Sequence, residues 1–128
     1  MTTPLAALTN HQVRLAARPE GLPKASDWQH TSEPVAEPAE GGVLVKTLMI
    51  SLDPAMRGWM NEGKSYIPPV GLGEVMRAGG IGVVVASKNT AFKAGDFVSA
   101  GTGVQEYALF AADQVKRSGM FRIDTRLG

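Results

Sequence analysis

Tyr66 is the side chain of this sequence best suited to chemistry on a carbonyl compound. It lies in the proline-rich stretch Ser65-Tyr66-Ile67-Pro68-Pro69. A phenol can donate a hydrogen bond to a substrate carbonyl and stabilise the charge that develops on its oxygen, and it can act as a general acid. The alternative is a loop tyrosine packed on the two prolines. Tyr107, in a strand-like run, is expected to be structural.

A short segment rich in soft and aromatic side chains precedes that loop. Met56, Trp59 and Met60 fall within one turn of chain. Methionine adapts to ligands of varied shape, so these residues could line an apolar substrate pocket. Core packing of a short helix explains the same pattern, and both interpretations stay open.

The polar residues of this segment also allow two interpretations. Asp53 and Pro54 end an apolar run, where they could face a cleft or simply terminate a strand, with the carboxylate capping the next turn. Arg57 could anchor a phosphate or a polar substrate end through its planar guanidinium. It could instead form an ion pair with Asp53 or Glu74 that fixes the loop.

Composition excludes several classes of protein. The chain has 128 residues, 13 of them basic and 12 acidic, for a formal net charge of +1, and it contains no basic run. This gives no electrostatic case for binding nucleic acid or an anionic membrane. No apolar run approaches the roughly 18 residues that a membrane span requires.

Metal-site chemistry has few candidate ligands here. There are no cysteines, which excludes disulfides and thiolate ligands and is compatible with a cytosolic protein. The two histidines, His11 and His30, cannot make a zinc site without carboxylates. His11 is expected to face solvent or to be hydrogen-bonded.

Short strand-like runs separated by turn residues make up most of the chain. They are residues 10–18, 27–35, 43–51, 79–87, 97–100, 104–110 and 120–123. The run 43–51 is apolar on both faces, which predicts a central strand covered on both sides. Residues 55–60 predict one helical turn. Together, the many short strand-like runs and the single helical turn predict a mainly β fold, a barrel or partly open sandwich with little helix.

The glycines of the run 79–87 invite a phosphate-loop interpretation. Gly71 with Gly73, and Gly79 and Gly80 with Gly82, do not complete Gly-x-Gly-x-x-Gly, and no helix pattern follows them. A role in the turns of a barrel is therefore favoured for these glycines, and those of the run 79–87 suggest a bulge or a close approach of two backbones.

Six motifs in order carry a family resemblance over roughly residues 10–128. They are Leu52-Asp53-Pro54-Ala55-Met56-Arg57-Gly58, Ser65-Tyr66-Ile67-Pro68-Pro69, Gly73-Glu74-Val75-Met76, Gly80-Ile81-Gly82-Val83-Val84, Gly95-Asp96-Phe97-Val98 and Gln105-Glu106-Tyr107. Together they resemble the N-terminal GroES-like domain of zinc-independent medium-chain dehydrogenase/reductases. The prostaglandin/leukotriene reductase, 2-alkenal reductase and curcumin reductase group is the most similar branch.

The resemblance implies a fold and a domain organisation. The fold would be a GroES-like, partly open β-barrel over residues 10–116, after a flexible N-terminus at residues 1–9. Residues 117–128 would begin a linker to a Rossmann domain that binds most of the NADPH and is missing from this chain. We therefore expect the 128 residues to be a fragment, inactive alone. A free-standing GroES-like binding or assembly module without catalysis is the alternative.

The resemblance also implies an activity and a set of site residues. The complete enzyme would reduce the C=C bond of α,β-unsaturated ketones or aldehydes, without metal, as a cytoplasmic homodimer. Tyr66 would be the catalytic residue, and Asp53 and Pro54 would lie near the nicotinamide. The residues expected to bind substrate are Met56, Arg57, Trp59, Met60 and Tyr66.

Two departures from the family pattern bear on pocket size. Ala55 stands where the family usually carries an aromatic residue, and Val104 stands where it usually carries tryptophan. Both replace a large ring by a small side chain, so the sequence predicts a wider pocket than in the family.

Overall fold

A computed structural model describes residues 8–52, 55–61, 69–117 and 119–123 of the chain. Its strands are β1 (Thr9–Leu15), β2 (Trp28–Pro34), β3 (Val43–Ile50), β4 (Gly80–Ser87), β5 (Phe97–Ala100), β6 (Tyr107–Phe110) and β7 (Phe121–Arg122). Its helices are a 3-10 turn (Ala25–Asp27), α1 (Ala55–Trp59) and α2 (Ala112–Arg117).

The strands form two antiparallel sheets. The first is the β1–β2 hairpin, and the second has five strands in the order β6-β3-β4-β5-β7. Isolated bridges from Gln12 to Gln105 and from Arg14 to Val75 connect β1 to loops of the larger sheet. The sheets do not close on each other, which confirms the predicted mainly β, partly open architecture with little helix.

Side-chain amides join the hairpin to the larger sheet. The Gln105 Oε1 atom accepts hydrogen bonds from Asn10 Nδ2 and Gln12 Nε2, both at 3.0 Å, and Gln105 Nε2 donates to the Thr102 carbonyl at 2.9 Å. Asn10 and Gln12 are only 6% and 5% exposed. Buried amides cost free energy unless they are hydrogen-bonded, so this network fixes how the hairpin docks.

The central strand β3 is buried in its first half alone. Val43, Leu44 and Val45 are at most 1% exposed, whereas Leu48 and Met49 are 49% and 61% exposed. The prediction that residues 43–51 are covered on both sides is therefore wrong for the outer half. The reason is topological, because the pairing of β3 with β6 ends at Lys46. One further bond follows, from the Thr47 N–H to the Glu106 carbonyl, and beyond it β3 pairs with β4.

Two other elements differ from the sequence prediction. Residues 104–106 precede β6 rather than extending it, because this stretch bonds to β1 and to Met76 instead. The helix α2 was not predicted. It has six residues and one buried side chain, Val115, so it offers too few apolar positions to show a helical period.

Two glycines let β4 approach β3 closely. A Cβ atom at Gly82 would lie 2.5 Å from the Lys46 carbonyl oxygen, and one at Gly80 would lie 2.9 Å from the Met49 carbonyl oxygen. The register between the strands also shifts twice along this pairing. The close backbone approach predicted at these glycines is thereby confirmed.

We expect Gly82→Ala to lower the free energy of unfolding by about 1–3 kcal/mol, because the added methyl group must displace the β3 backbone. Gly79→Ala is the matched control, since a Cβ atom there meets no atom within 4 Å. It should change stability by less than about 0.5 kcal/mol. Urea denaturation of both variants measures this, and equal effects would contradict the packing argument.

Asp27 closes the turn that leads into β2. Its carboxylate accepts hydrogen bonds from the Lys24 main-chain N–H at 2.9 Å and from Lys24 Nζ at 3.2 Å, and the residue is 1% exposed. The main-chain hydrogen bond from Lys24 is the largest cause that lowers the pKa of Asp27 below its ordinary value, and burial opposes it. The ionised form therefore stabilises the fold.

The Asp27 contribution should depend on pH. Because the folded-state pKa is lowered, the stabilisation is present above the ordinary value of 3.8 and is lost as the pH falls through the lowered value. We expect Asp27→Asn to be less stable than the parent at neutral pH and the difference to shrink below pH 3.8. Asp113→Asn, at an exposed carboxylate, is the control. If the difference in free energy of unfolding between the parent and Asp27→Asn did not change with pH, the ionised Asp27 carboxylate would not be the source of the stabilisation.

Candidate functional site

Helix α1 packs its apolar residues on a core that is separate from, and smaller than, the core of the five-stranded sheet. The buried members of this core are Leu15, Met60, Val70 and Met76. Met56 and Trp59 pack against it and are only partly buried, as are Trp28 and Val104. Met60 is 2% exposed, which agrees with the core-packing alternative for that residue. Met56 and Trp59 keep part of their surface available to a ligand.

Arg57 ties α1 to the turn after β1. Its Nε atom donates to the Gly21 carbonyl at 3.1 Å and its Nη2 atom donates to the Pro19 carbonyl at 2.9 Å, while Nη1 donates to Asn61 Oδ1. This contact set does not include Glu74, one of the two ion-pair partners proposed from the sequence. Each of the three guanidinium nitrogens therefore already donates a hydrogen bond within the protein.

Arg18 holds the far end of α1, a role that no sequence pattern indicated. Its Nη1 atom donates to the carbonyls of both Met60 and Val70, at 2.9 and 2.8 Å. The Val70 N–H in turn donates to the Trp59 carbonyl at 2.8 Å. These bonds hold the chain at Met60 and at Val70 side by side.

Three predicted site residues lie outside the described residues. They are Asp53, Pro54 and Tyr66. The described chain reaches Leu52 on one side and resumes at α1 on the other. The roles of these three residues therefore stay predictions.

An apolar strip leads from β3 toward α1. Leu48, Met49 and Leu52 are 49%, 61% and 81% exposed, although the same strand is fully buried at its start. Contiguous exposed apolar side chains usually mark a surface that meets a ligand or a partner. This strip is thus the described feature that most favours a binding function at the end of β3.

A cavity of about 390 Å³ lies between the hairpin and the outer half of β3. Most of its wall is apolar, contributed by Val13, Leu48, Met49, Ile50 and Val104. A volume of this size falls in the range of about 300–1,000 Å³ that small-molecule sites occupy. Sequence reasoning did not identify the cavity, because its walls come from distant segments.

A histidine–carboxylate pair stands at the rim of this cavity. His11 Nδ1 is in hydrogen-bond contact with Glu106 Oε1, and the His11 main-chain N–H donates to the same oxygen at 3.1 Å. The His11 side-chain hydrogen bond is the main cause that lowers the pKa of Glu106. The expectation that His11 is solvent-facing or hydrogen-bonded is confirmed.

The described ranges offer little for a metal or a membrane. Within them, no three or more histidine, aspartate or glutamate side chains come together in a group that could hold a metal ion. No helix found there is long and apolar enough to cross a membrane.

Comparison with known proteins gives a consistent family assignment. A family model described as the N-terminal domain of oxidoreductase matches residues 11–118. YfmJ of Bacillus subtilis is 40% identical over 119 residues, which cover 93% of this chain and 33% of that protein. The NADPH-dependent curcumin reductase of Escherichia coli is 39% identical over 110 residues, 86% of this chain and 32% of that protein. The chain spans about a third of the length of these relatives.

A solved structure matches the fold at high sequence identity. CurA from Vibrio vulnificus superposes with a TM-score of 0.76 and 45% identity, over 78% of this chain and 30% of CurA. Its complex with NADPH gives a TM-score of 0.74 and 43% identity, over 77% of this chain and 29% of CurA.

The contacts of Arg57 lead to a prediction that separates structure from substrate binding. Arg57→Lys should lower the free energy of unfolding by about 1 kcal/mol, because the single ammonium nitrogen of lysine cannot take the positions of both Nε and Nη2, which bond the two carbonyls. Arg117→Lys, at an exposed ion pair, should have almost no effect. Thermal denaturation measures both variants. If Arg57→Lys keeps full stability and only raises the Michaelis constant of the whole enzyme, Arg57 is a substrate anchor instead.

Proposed function

Because this chain belongs to the family of N-terminal domains of oxidoreductases, we propose that it is the substrate-side domain of an NADPH-dependent reductase. The reaction is reduction of the C=C bond of α,β-unsaturated ketones or aldehydes. The observation that carries the proposal is the 43% identity with CurA in complex with NADPH, over 77% of this chain. The exposed apolar strip at the end of β3 supports it, since such a surface suits an apolar substrate and a flat ring.

Among the described residues we find no site for the phosphates of the cofactor. Gly80 and Gly82 lie within β4 and serve its approach to β3, so they form no phosphate cradle. In the part of the chain that the structure describes, no other glycine-rich turn leads into a helix long enough to bind a pyrophosphate. We therefore assign the phosphates of NADPH to residues beyond the described ones. Asp53 and Pro54 would contact the nicotinamide.

The chemistry divides between cofactor and protein. NADPH, when bound, supplies the hydride that adds to the β-carbon of the substrate. Met56 and Trp59 form an apolar wall that excludes water from the reacting atoms. Tyr66 donates a hydrogen bond to the substrate carbonyl oxygen as that oxygen gains negative charge, and a solvent proton completes the product at the α-carbon.

The proposal extends to the whole protein that contains this chain. We propose that it works as a cytoplasmic homodimer on a small enone or enal, without metal, nucleic acid or membrane. The 128 residues alone should neither bind NADPH appreciably nor turn over substrate. A free-standing binding module would instead leave the whole protein without NADPH oxidation.

The proposed reaction can be tested on the whole protein with 3-buten-2-one and NADPH. We expect oxidation of NADPH with formation of the saturated ketone, identified by mass spectrometry. NADPH carrying deuterium at the transferred position should label the β-carbon. Formation of the allylic alcohol, or no reaction with and without added zinc, would overturn the proposal.

The role of Tyr66 makes a further prediction for the whole enzyme. Tyr66→Phe should lower the turnover rate by about ten- to thirtyfold and change the Michaelis constant less, because only the transition state carries the full charge on oxygen. Tyr107→Phe, in β6, is the matched control and should keep the parent rate. Parent turnover in Tyr66→Phe would reduce Tyr66 to a packing residue.

A further inference from the structure

The Trp59 ring contacts both an apolar core and a cation. It packs, partly buried, against the small core that contains Met60 and Met76. The guanidinium carbon of Arg77 lies over the same ring, 5.3 Å from its centroid. This distance is within the roughly 6 Å at which a cation is attracted to the electron-rich face of an aromatic ring. The ring is therefore held by one apolar and one electrostatic contact.

Helix α1 cannot by itself fix the direction of this ring. The helix has five residues, and helices shorter than about 12 residues are marginal without tertiary contacts. The Trp59 carbonyl accepts a hydrogen bond from the Val70 N–H at 2.8 Å, which holds the main chain. The side chain can still turn about its two rotatable bonds, so its direction depends on what covers the ring.

The residues on either side of Arg77 are held by main-chain hydrogen bonds that do not involve α1. The Met76 N–H donates to the Val13 carbonyl at 2.9 Å. The Ala78 carbonyl accepts from the Gly103 N–H at 3.0 Å. Met76 and Ala78 are also buried, at 2% and 1% exposed. Arg77 therefore belongs to a firmly held stretch of chain, and its side chain reaches the ring of another element.

Arg77 also borders a polar cavity of about 460 Å³. The side chains of Glu74, Thr102, Gln105 and Gln114 contribute to its wall. A charged group is costly to bury unless its surroundings are polar. The guanidinium can therefore remain in polar surroundings while it covers the indole, as a cation–π contact requires.

We propose that Arg77 is a positioning residue, whose guanidinium holds the Trp59 ring in the orientation in which it forms a wall of the substrate site. Arg77 acts through the indole and does not contact the substrate. This inference rests on the proposed function, in which Met56 and Trp59 supply the apolar wall.

A positioning role has a kinetic signature. A wall that contacts the apolar part of a substrate does so both before and during the reaction. Loss of its orientation should weaken binding of the substrate and of the transition state alike, which raises KM and leaves kcat nearly unchanged. A residue that acted on the reacting atoms would lower kcat instead.

The environment of the ring can be followed by fluorine NMR of the whole protein labelled with 5-fluorotryptophan. The resonance that disappears in Trp59→Phe belongs to Trp59. Arg77→Met keeps a long side chain and removes the charge, so we expect it to shift this resonance. Arg122→Met, at an exposed position of β7, is the control and should leave it in place. An unchanged Trp59 resonance in Arg77→Met would overturn the inference.

Steady-state kinetics with NADPH and 3-nonen-2-one, an enone with an alkyl chain, measure the consequence for binding. In Arg77→Met we expect KM to rise about three- to tenfold and kcat to stay within about twofold of the parent, as the loss of one cation–π contact implies. Arg77→Lys keeps a cation and should raise KM less. An unchanged KM in Arg77→Met, equal rises in the two variants, or a fall in kcat alone would contradict a positioning role.

A second substitution tests whether Arg77 acts through the ring. Trp59→Leu removes the aromatic face, so Arg77→Met should change KM by less than about twofold in that background. The same factor with and without Trp59 would show that Arg77 acts by another route. Thermal denaturation checks that each variant is folded at the assay temperature. Should Arg77→Met fail to fold, Arg77→Gln supplies the uncharged side chain in every comparison.

Failure of this inference can be told apart from failure of the proposed function. If the parent enzyme reduces no enone, the proposed function is wrong, and the role of the ring as a substrate wall falls with it. If the parent reduces 3-nonen-2-one and Arg77→Met matches it in both fluorine NMR and kinetics, the reaction stands and Arg77 is not a positioning residue.

Discussion

The hydrogen bonds of one partly buried amide, Gln105, determine how the two sheets fit together. Its carbonyl oxygen accepts from Asn10 and Gln12 on β1, and its amide nitrogen returns to the Thr102 carbonyl. Asn10 also accepts from the Tyr107 main-chain N–H at 2.9 Å. Amides buried without such partners would be costly, so the hairpin has one favourable docking position. The cavity, the packing of Val104 and the small core beside α1 all depend on that position.

The sequence was sufficient for the fold where a local pattern decides the structure. Alternating and apolar runs located the seven strands to within a few residues, and the glycines beside β3 marked a close backbone approach. It failed where long-range pairing decides. The outer half of β3 is as apolar as the inner half. It is exposed because β6 begins opposite Lys46 and does not cover the residues of β3 that follow. Local pattern carries no information about where a neighbouring strand stops.

The candidate site could likewise be predicted from the sequence only in part. Residue types in the segment from Met56 to Met60 allowed either a pocket wall or core packing, and the structure places Met60 in the small core and Met56 and Trp59 against that core, partly buried. The main-chain partners of Arg57 and Arg18 could not be predicted, because these carbonyls lie 36 to 52 residues away in the sequence. Every residue offers such a carbonyl, so no residue type marks the partner. The roles of Tyr66, Asp53 and Pro54 stay predictions.

The two carbonyls shared by the Arg18 guanidinium have a consequence for the length of the chain between them. Because Met60 and Val70 are bonded to the same nitrogen, the closure of the chain between them is secured by residues at its base. The entropic cost of a closed loop grows slowly, by only about 0.6 kcal/mol for each doubling of its length. A change in the number of residues between these anchor points should therefore cost little folding free energy.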